Sequence, residues 1–578
     1  MKSLPILVCS AAFGVVSLSR AGLPSVASSL PEGALGFAEV SSLSDTVRAL
    51  RSSRTLDYLL STDEWKKFES SPEYLKVNAV RTTAELMLGS SLWDAAAELL
   101  GGRLGVALYP AAATGGKPQP VAVWHLEDTK TLKRGKEILQ PLLGAGGKPV
   151  DTSKAWPGSL TWNFKDQAWL SMNGSWIVGT TDKALLERTI AVLGSAADRP
   201  ATLAAQPGFS AMDRTTGDTH QVRLWVDAPR LKQMTGSRFG LPQKAEDGAA
   251  SLMLGGLIEL ADHSTFGAAT LDIRGQEVEG TVTLGADPAK LPEPASLWYV
   301  QHPANGVIPL PSPAGTIAAF TIHRKLGEWY RHRDQLLADR LLPGFDTFET
   351  NIGNLLPQKD FGQDVLPLIG DNFTFIAALQ NYSHLDGAPG IKLPAFAGIF
   401  DMPKPEEGAD TFQLFFQTLG AILNLQAGQE NRQPSVMDAE IYQGTRITWS
   451  RYLTKPKGDR LAVAYNFQPA AAAVGRKYIV ATSVQLCRDL IDHFKKPESG
   501  AWRNHNSEIK VDIAGLAKLA GLNEGFLRSQ DIQKGNSPEA ASRRVALLIK
   551  ALEQLDTVHY HSEAKDGLFQ MHLSTSWK

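Results

Sequence analysis

Three histidines near the C-terminus are the residues whose spacing best fits a metal site. His559 and His561 are two positions apart, with Tyr560 between them, in a strand-like segment. His572 lies in the segment that follows. Side chains two positions apart on a strand share a face, so both imidazoles could approach one ion, with His572 as a third ligand. We favour the simpler interpretation of a polar strand face beside a turn at Asp566-Gly567. The sequence therefore predicts no metal and no cofactor, and these three histidines remain the candidate ligands.

The common catalytic motifs are absent from the sequence. It contains no G-x-x-x-x-G-K-[ST] phosphate loop, no G-x-S-x-G nucleophile elbow and no H-E-x-x-H helix. The two cysteines, Cys9 and Cys487, are too few for a disulfide scaffold or a four-cysteine zinc site. Cys487 matches Leu185 in an earlier helix-like segment, so we expect it to fill apolar space rather than act as a nucleophile. We predict no catalytic residues.

The N-terminus has the pattern of a secretory signal peptide over residues 1–21. Lys2 precedes an apolar run over residues 4–18, and the small residues Ser19 and Ala21 suit cleavage before residue 22. The run is too short to span a bilayer, and no later stretch reaches the necessary length. We therefore expect an extracytoplasmic protein, in the periplasm or outside the cell, with no transmembrane helix in the mature chain.

Length and charge narrow the function classes. A chain of 578 residues with 43% apolar residues predicts more than one domain with a real core. The 58 basic residues nearly balance the 60 acidic ones, which argues against a nucleic-acid partner and against a polybasic membrane-surface protein.

Similar segments recur in the same order in the two halves of the chain, which indicates an internal duplication. The matched ranges are 35–40 with 316–320, 104–109 with 373–379, 160–162 with 447–449, 176–181 with 478–483, and 226–236 with 511–521. Asp227 and Asp512 recur at the start of a helix-like segment in this scheme, so we interpret both as helix caps.

A proline-rich stretch separates the two copies. Residues 288–313 contain seven prolines, which excludes a central strand or a helix interior and favours a linker. The alternative is one long surface loop inside a single domain. We predict a signal peptide over 1–21, repeat A over 22–287, the linker over 288–313 and repeat B over 314–578.

Each repeat combines hairpin and helix patterns. Asn173-Gly174 between two strand-like runs predicts a tight β-hairpin, and Thr181 is placed to cap the helix that follows. Hairpins imply antiparallel pairing, and helices with one apolar face imply a covering layer. The expected fold is α+β, with two tandem related repeats, each a mainly antiparallel and possibly curved sheet covered by helices.

The chain resembles large extracytoplasmic bacterial proteins grouped as a domain of unknown function. The resemblance is carried by Leu-Pro at residues 30–31 and 310–311 before a short strand, and by the strand-to-helix segments at 176–186 and 478–483. It implies export and a tandem α+β architecture. It supplies no catalytic residues, and the family has no settled activity.

Three functions follow as hypotheses. The first is a non-enzymatic secreted or periplasmic binding or envelope-associated protein, because the segments that recur in both halves of the sequence share no set of reactive side chains. The second is a carrier of an apolar ligand such as a lipid, in which sheets and helices enclose a tunnel. The third is a secreted hydrolase with a dispersed active site, which requires a pocket with titratable groups of displaced pKa. The sequence does not identify a partner; an envelope protein and an apolar ligand are the candidates.

Overall fold

The computed structural model describes most of the chain after the N-terminal segment. The described residues are 25–41, 43–51, 60, 63–99, 101–111, 117–126, 130–194, 200–300, 306–430, 434–453, 458, 460–496 and 503–577. The predicted signal peptide, residues 1–21, and Cys9 within it lie outside the described residues.

The described residues form two compact units. Unit 1 comprises those within 1–239 and 264–286, and unit 2 comprises those within 240–263 and 287–577. The segment 240–263 falls within the predicted repeat A and belongs to unit 2. The described part of the proline-rich stretch also belongs to unit 2, where the side chains of Trp298 and Val307 are buried. The linker and the repeat boundaries stay predictions.

Unit 1 contains an antiparallel sheet. Its described strands are β1 (Gly36–Ser41), β2 (Arg103–Tyr109), β3 (Gln119–His125), β4 (Lys148–Val150), β5 (Leu160–Phe164), β6 (Ala168–Asn173), β7 (Trp176–Thr180), β8 (Val222–Val226), β9 (Gly267–Arg274) and β10 (Glu277–Leu284). Their order is β10-β9-β8-β1-β2-β3-β7-β6-β5-β4, and each neighbouring pair is antiparallel.

Helices accompany the sheet of unit 1. They are α1 (Ser44–Arg51), α2 (Asp63–Glu69), α3 (Pro72–Leu88), α4 (Leu92–Leu99), α5 (Lys130–Gly146), α6 (Lys183–Leu193), α7 (Pro207–Thr216) and α8 (Ala228–Thr235). Helix α6 begins one residue later than the sequence suggests, because Asp182 rather than Thr181 caps it by accepting a hydrogen bond from the Leu185 amide. The hairpin before it turns at Gly174-Ser175 rather than Asn173-Gly174.

Unit 2 contains a second antiparallel sheet. Its described strands are β11 (Thr316–His323), β12 (Asn372–Ala378), β14 (Ala395–Asp401), β15 (Ser435–Tyr442), β16 (Thr445–Tyr452), β18 (Ala470–Val474), β19 (Lys477–Ala481), β20 (Ser507–Asp512), β21 (Leu555–Lys565) and β22 (Leu568–Trp577). A separate, short parallel pair is formed by β13 (Ala388–Pro389) and β17 (Arg460–Leu461). The order in the large sheet is β22-β21-β20-β11-β12-β14-β19-β18-β16-β15.

Unit 2 also contains helices among its described residues, and the longest of these has 25 residues. They are α9 (Gly248–Asp262), α10 (Leu326–Arg331), α11 (Arg333–Leu336), α12 (Leu342–Leu355), α13 (Pro405–Gln429), α14 (Val484–Phe494), α15 (Ile513–Leu522), α16 (Glu524–Gln533) and α17 (Pro538–Glu553). Among all described residues, no helix combines the length and apolar character needed to cross a membrane.

The large sheets of the two units have the same strand order. The ten strands of each sheet can be matched in chain order, from β1 with β11 to β10 with β22, leaving out the short pair β13 and β17. Matched strands then occupy the same place in the two orders. The mixture of antiparallel sheet and helices confirms the predicted α+β class. The shared order agrees with a duplication. Asp227 and Asp512 also play the same part in both units, because each accepts a hydrogen bond from a backbone amide three residues on.

The register of the two sheets corrects one matched segment. Trp176 lies opposite His125 at the end of the β3–β7 ladder, and Lys477 lies opposite Asp401 at the end of the β14–β19 ladder. Trp176 therefore corresponds to Lys477, whereas the sequence comparison matched it to Tyr478. A slip of one residue reverses the face of every side chain on a strand, so the difference matters for what each strand presents.

A buried ion pair joins three strands of unit 1. Glu39 on β1 and Arg223 on β8 are 2% and 1% exposed, and Arg223 Nη2 lies 2.9 Å from Glu39 Oε2. The backbone amide of Val26 also donates to Glu39, at 2.8 Å. Arg103 on β2 places a second guanidinium 3.5 Å from the same carboxylate. Two buried cations therefore share one buried carboxylate, and each also has a partly exposed partner, Asp213 for Arg223 and Asp218 for Arg103.

Removing the Glu39 carboxylate should destabilise unit 1 strongly. We expect Glu39→Ala to lower the free energy of unfolding by about 3–5 kcal/mol, because it removes the one buried carboxylate that the two buried guanidinium groups share. Urea unfolding followed by circular dichroism measures the change. Glu187→Ala, which breaks an exposed pair with Lys183, should cost less than about 1 kcal/mol. Equal losses for the two variants would contradict the importance of the buried pair.

Candidate functional site

An apolar cavity of about 630 Å³ lies inside unit 2. Its walls come from helices α12 and α13, the segment 361–369, and the sheet face formed by β14, β19, β16 and β15. The lining residues are mostly aromatic or aliphatic: Leu326, Phe348, Ile352, Leu356, Phe361, Val365, Ile369, Phe400, Phe412, Phe415, Phe416, Leu419, Gly420, Leu423, Ser435, Met437, Ser450, Arg451, Tyr452, Phe467, Pro469, Tyr478 and Val480. This volume falls in the range of small-molecule sites.

Helix α13 forms the roof of the cavity through one apolar stripe. Phe412, Phe415, Phe416, Leu419 and Leu423 recur at helical spacing and all line the cavity. The stripe continues through Gly420, where a Cβ atom would lie only 3.0 Å from the Met437 sulfur. The missing side chain thus lets the helix approach strand β15 closely.

Strand β19 forms the floor and separates two layers. Its residues alternate between faces, so Tyr478 and Val480 face the cavity while Ile479 and Ala481 pack in a separate core with helix α14. Cys487 of α14 lies in that core with no exposed surface. Burial raises the pKa of its thiol to about 12, which suits the packing role predicted for it. By register it corresponds to Leu186 rather than Leu185.

Three aromatic rings hold one hydroxyl group inside the cavity wall. The Tyr478 ring lies 5.5 Å from that of Phe400 and 5.4 Å from that of Phe412, and the two phenylalanines meet edge to face at 4.8 Å. Tyr478 is 2% exposed, and its hydroxyl has no hydrogen-bond partner in the described part of the chain. Burial raises the pKa of Tyr478, so the phenol stays protonated as a donor.

Charge is scarce in the lining. The described lining residues include no carboxylate and no histidine, and Arg451 is the one cation among them. Its Nε atom lies 3.2 Å from Asp438 Oδ2 on the neighbouring strand. The described lining therefore offers an apolar surface with a few hydroxyl groups.

The three predicted metal candidates lie elsewhere in unit 2. His561 and His572 are opposite each other in the β21–β22 hairpin and stack at a centroid distance of 4.6 Å. His505 stacks on the other side of His561 at 4.4 Å. His559 places Nε2 3.0 Å from a carboxylate oxygen of Glu508. The hairpin turns at Asp566-Gly567, as the sequence predicts.

The histidines surround a buried carboxylate, and their arrangement does not suit an ion. Glu508 on β20 is 3% exposed, and Arg503 Nη1 lies 2.7 Å from its Oε1. Among the residues that the structure describes, no group of three or more His, Cys, Asp or Glu side chains could hold a metal ion. Sequence reasoning missed Glu508, because nothing in its local sequence separates it from an exposed strand carboxylate.

The cluster has displaced pKa values with clear causes. Burial raises the pKa of Glu508, but the neighbouring His505, His559 and Arg503 more than offset it and lower the value to about 2. Burial also lowers the pKa of His561 to about 4, and the other three histidines add to the effect. The carboxylate is thus charged and His561 neutral near pH 7.

The same sheet position in unit 1 carries the opposite charge. Glu508 lies opposite His561 in the β20–β21 ladder, and Arg223 lies opposite Thr270 in the β8–β9 ladder. Arg223 therefore corresponds to Glu508, and Thr270 to His561. A permanent ion pair in one unit is replaced by a titratable cluster in the other.

The neutral His561 makes the stability of unit 2 sensitive to acid. The folded pKa of about 4 is below the unfolded value of about 6.5, so the unfolded state binds more protons between these values. We expect the free energy of unfolding to fall as pH drops from about 6.5 to 4. Urea unfolding at pH 7 and pH 5 measures this loss.

His561→Thr, which copies unit 1, provides the control for this prediction. The variant lacks the titrating imidazole and should lose less stability between pH 7 and pH 5 than the wild-type protein. The buried His323, whose pKa burial lowers to about 4, contributes equally to both proteins and cancels in the comparison. An unchanged loss would rule out His561 as a source of the pH dependence.

Unit 1 has a more polar groove at the matching place. The groove lies between helix α5 and strands β4 and β5, and Glu137, Gln140, Pro149 and Trp162 are among its lining residues. Ile177 and Gly179 of β7 occupy the positions that correspond to Tyr478 and Val480. The aromatic hydroxyl and the apolar interior are therefore features of unit 2.

Comparisons with known proteins give no family. No family model matches the chain, and no curated protein matches it. Solved structures of TP0453 show a slight similarity: crystal form IV has 12% identity and a TM-score of 0.22 over 46% of this chain and 81% of that chain. Crystal form III has 11% identity and a TM-score of 0.23 over 48% and 85%. Scores at this level support no conclusion about fold or function.

Proposed function

We propose that the protein binds an apolar small molecule in the cavity of unit 2. The observation that carries the proposal is a cavity of about 630 Å³, partly open to solvent, whose lining is almost entirely aromatic and aliphatic. The lining residues Leu423 and Phe348 are 55% and 42% exposed, so apolar surface at the cavity meets water. An apolar ligand removes this surface from water.

The lining favours binding over catalysis. Its described residues supply no nucleophile–base pair and no paired carboxylates. The displaced pKa values of Glu508 and His561 belong to a cluster whose residues do not line this cavity. These facts support a carrier or binding protein and give no specific support to the alternative of a hydrolase.

The proposed location is extracytoplasmic. Support comes from the sequence pattern of residues 1–21, with a basic start, an apolar run and small residues before residue 22. The resemblance to extracytoplasmic bacterial proteins agrees with export. Apolar molecules need a carrier to cross an aqueous compartment, so the location and the cavity are compatible.

A residue that fills the cavity should weaken binding. Leu419 lines the cavity from helix α13, and Leu419→Trp places an indole in the space that a ligand needs. We expect the affinity for the fluorescent apolar probe N-phenyl-1-naphthylamine to fall about 5-fold to 150-fold, because overpacking costs about 1–3 kcal/mol. Fluorescence titration measures the dissociation constant.

Leu425→Trp is the matched control, since Leu425 lies on the same helix, is 66% exposed and does not line the cavity. This variant should bind the probe as the wild-type protein does. Mass spectrometry of organic extracts should also find a co-purified apolar molecule with wild-type protein and less with Leu419→Trp. No probe binding by wild-type protein and clean extracts would refute the proposed function.

A further inference from the structure

We propose that the ligand is an uncharged amphiphile, and that one of its oxygen atoms accepts a hydrogen bond from the Tyr478 hydroxyl. This inference rests on the proposed function, since it assigns a ligand class to the same cavity. It goes further by naming the residue that distinguishes such a molecule from a plain hydrocarbon or a carboxylate.

The first argument is the unpartnered hydroxyl. Tyr478 lines the cavity, is 2% exposed, and its Oη atom has no hydrogen-bond partner among the described residues. Buried polar groups in folded proteins are nearly always paired, and an isolated one calls for an explanation such as a bound ligand or water. An oxygen atom of the ligand would provide the missing acceptor.

The second argument is that the hydroxyl is held in place. The Tyr478 ring packs against the rings of Phe400 and Phe412, which also line the cavity. Tyr478 comes from β19, which is paired on both sides, with β14 and with β18. A donor fixed in this way loses little conformational entropy when a ligand binds.

The third argument concerns charge. A buried carboxylate needs a cation, and without one its desolvation is costly. Arg451, the cation among the described lining residues, pairs with Asp438. Lys477, the neighbour of Tyr478 in sequence, pairs with Asp401. The Tyr478 phenol is a neutral donor, so it suits a hydroxyl, carbonyl or ester oxygen better than a carboxylate.

Unit 1 provides an internal comparison. Ile177 holds the position that corresponds to Tyr478, so the polar group is absent from the copy whose groove is open and more polar. The hydroxyl is therefore not a requirement of the fold. The hydroxyl occurs in the unit that has the apolar cavity, where its role is to recognise the ligand.

The test uses three competitors with the same chain length: 1-dodecanol, dodecanoate and dodecane. Each displaces N-phenyl-1-naphthylamine from wild-type protein and from Tyr478→Phe at pH 8. We expect Tyr478→Phe to weaken 1-dodecanol about threefold to tenfold, the value of one hydrogen bond, and to leave dodecane unchanged. Dodecanoate should bind wild-type protein more weakly than 1-dodecanol does.

Tyr442→Phe is the matched control. Tyr442 lies in the same unit but does not line the cavity, and its hydroxyl lies 2.9 Å from Asp492 Oδ2. This variant should keep the wild-type affinity for 1-dodecanol. In protein freed of ligand, Tyr478→Phe should also keep the wild-type midpoint of urea unfolding, because its hydroxyl makes no hydrogen bond within the described chain; a lower midpoint would overturn the inference.

The outcomes separate the two proposals. If the probe binds but Tyr478→Phe affects 1-dodecanol and dodecane equally, the cavity binds apolar molecules and the role of Tyr478 is refuted. A larger effect of Tyr478→Phe on dodecanoate than on 1-dodecanol would refute the preference for an uncharged ligand. If the probe does not bind wild-type protein, the proposed function itself fails.

Discussion

The alternation of side chains along strand β19 is the constraint on which the candidate site depends. Ile479 and Ala481 enter the core with helix α14, while Tyr478 and Val480 face the cavity. A shift of one residue would exchange the two sets and place the tyrosine hydroxyl in a close-packed aliphatic core. The ladders to β14 and β18 fix this register, so the sheet sets the chemistry of the cavity floor.

The two units show how far a shared strand order determines a site. Both sheets have the same order, and Asp227 and Asp512 cap the helices that follow β8 and β20. The space beside the matching helices nevertheless differs, because α13 presents phenylalanines where α5 presents Glu137 and Gln140. The scaffold fixes where a site can form, and the helix face fixes what it binds.

The sequence predicted much of the scaffold and little of the cavity. Recurrent segments, the two aspartate caps and the Asp566-Gly567 turn are local signals, and local signals can be read without a structure. The cavity is lined by segments distant in sequence, and each one alone has the pattern of an ordinary core element. Whether facing surfaces touch or leave a gap is decided by packing, which periodicity does not record. The error of one residue at Tyr478 arose because an aromatic residue was matched to an aromatic residue without regard to register.

The polar clusters of the two units point to a rule for this sheet position. Arg223 and Glu508 are both buried, and each has oppositely charged or hydrogen-bonding neighbours from adjacent segments. The position therefore tolerates either sign, provided that the charge is paired, as the cost of burying an isolated charge requires. The surroundings differ accordingly: Glu39 lies beside Arg223, and Arg503, His505 and His559 lie beside Glu508. Of the three histidines that by type and spacing suggest a metal site, His559 is a partner of the buried Glu508, while His561 and His572 stack on each other.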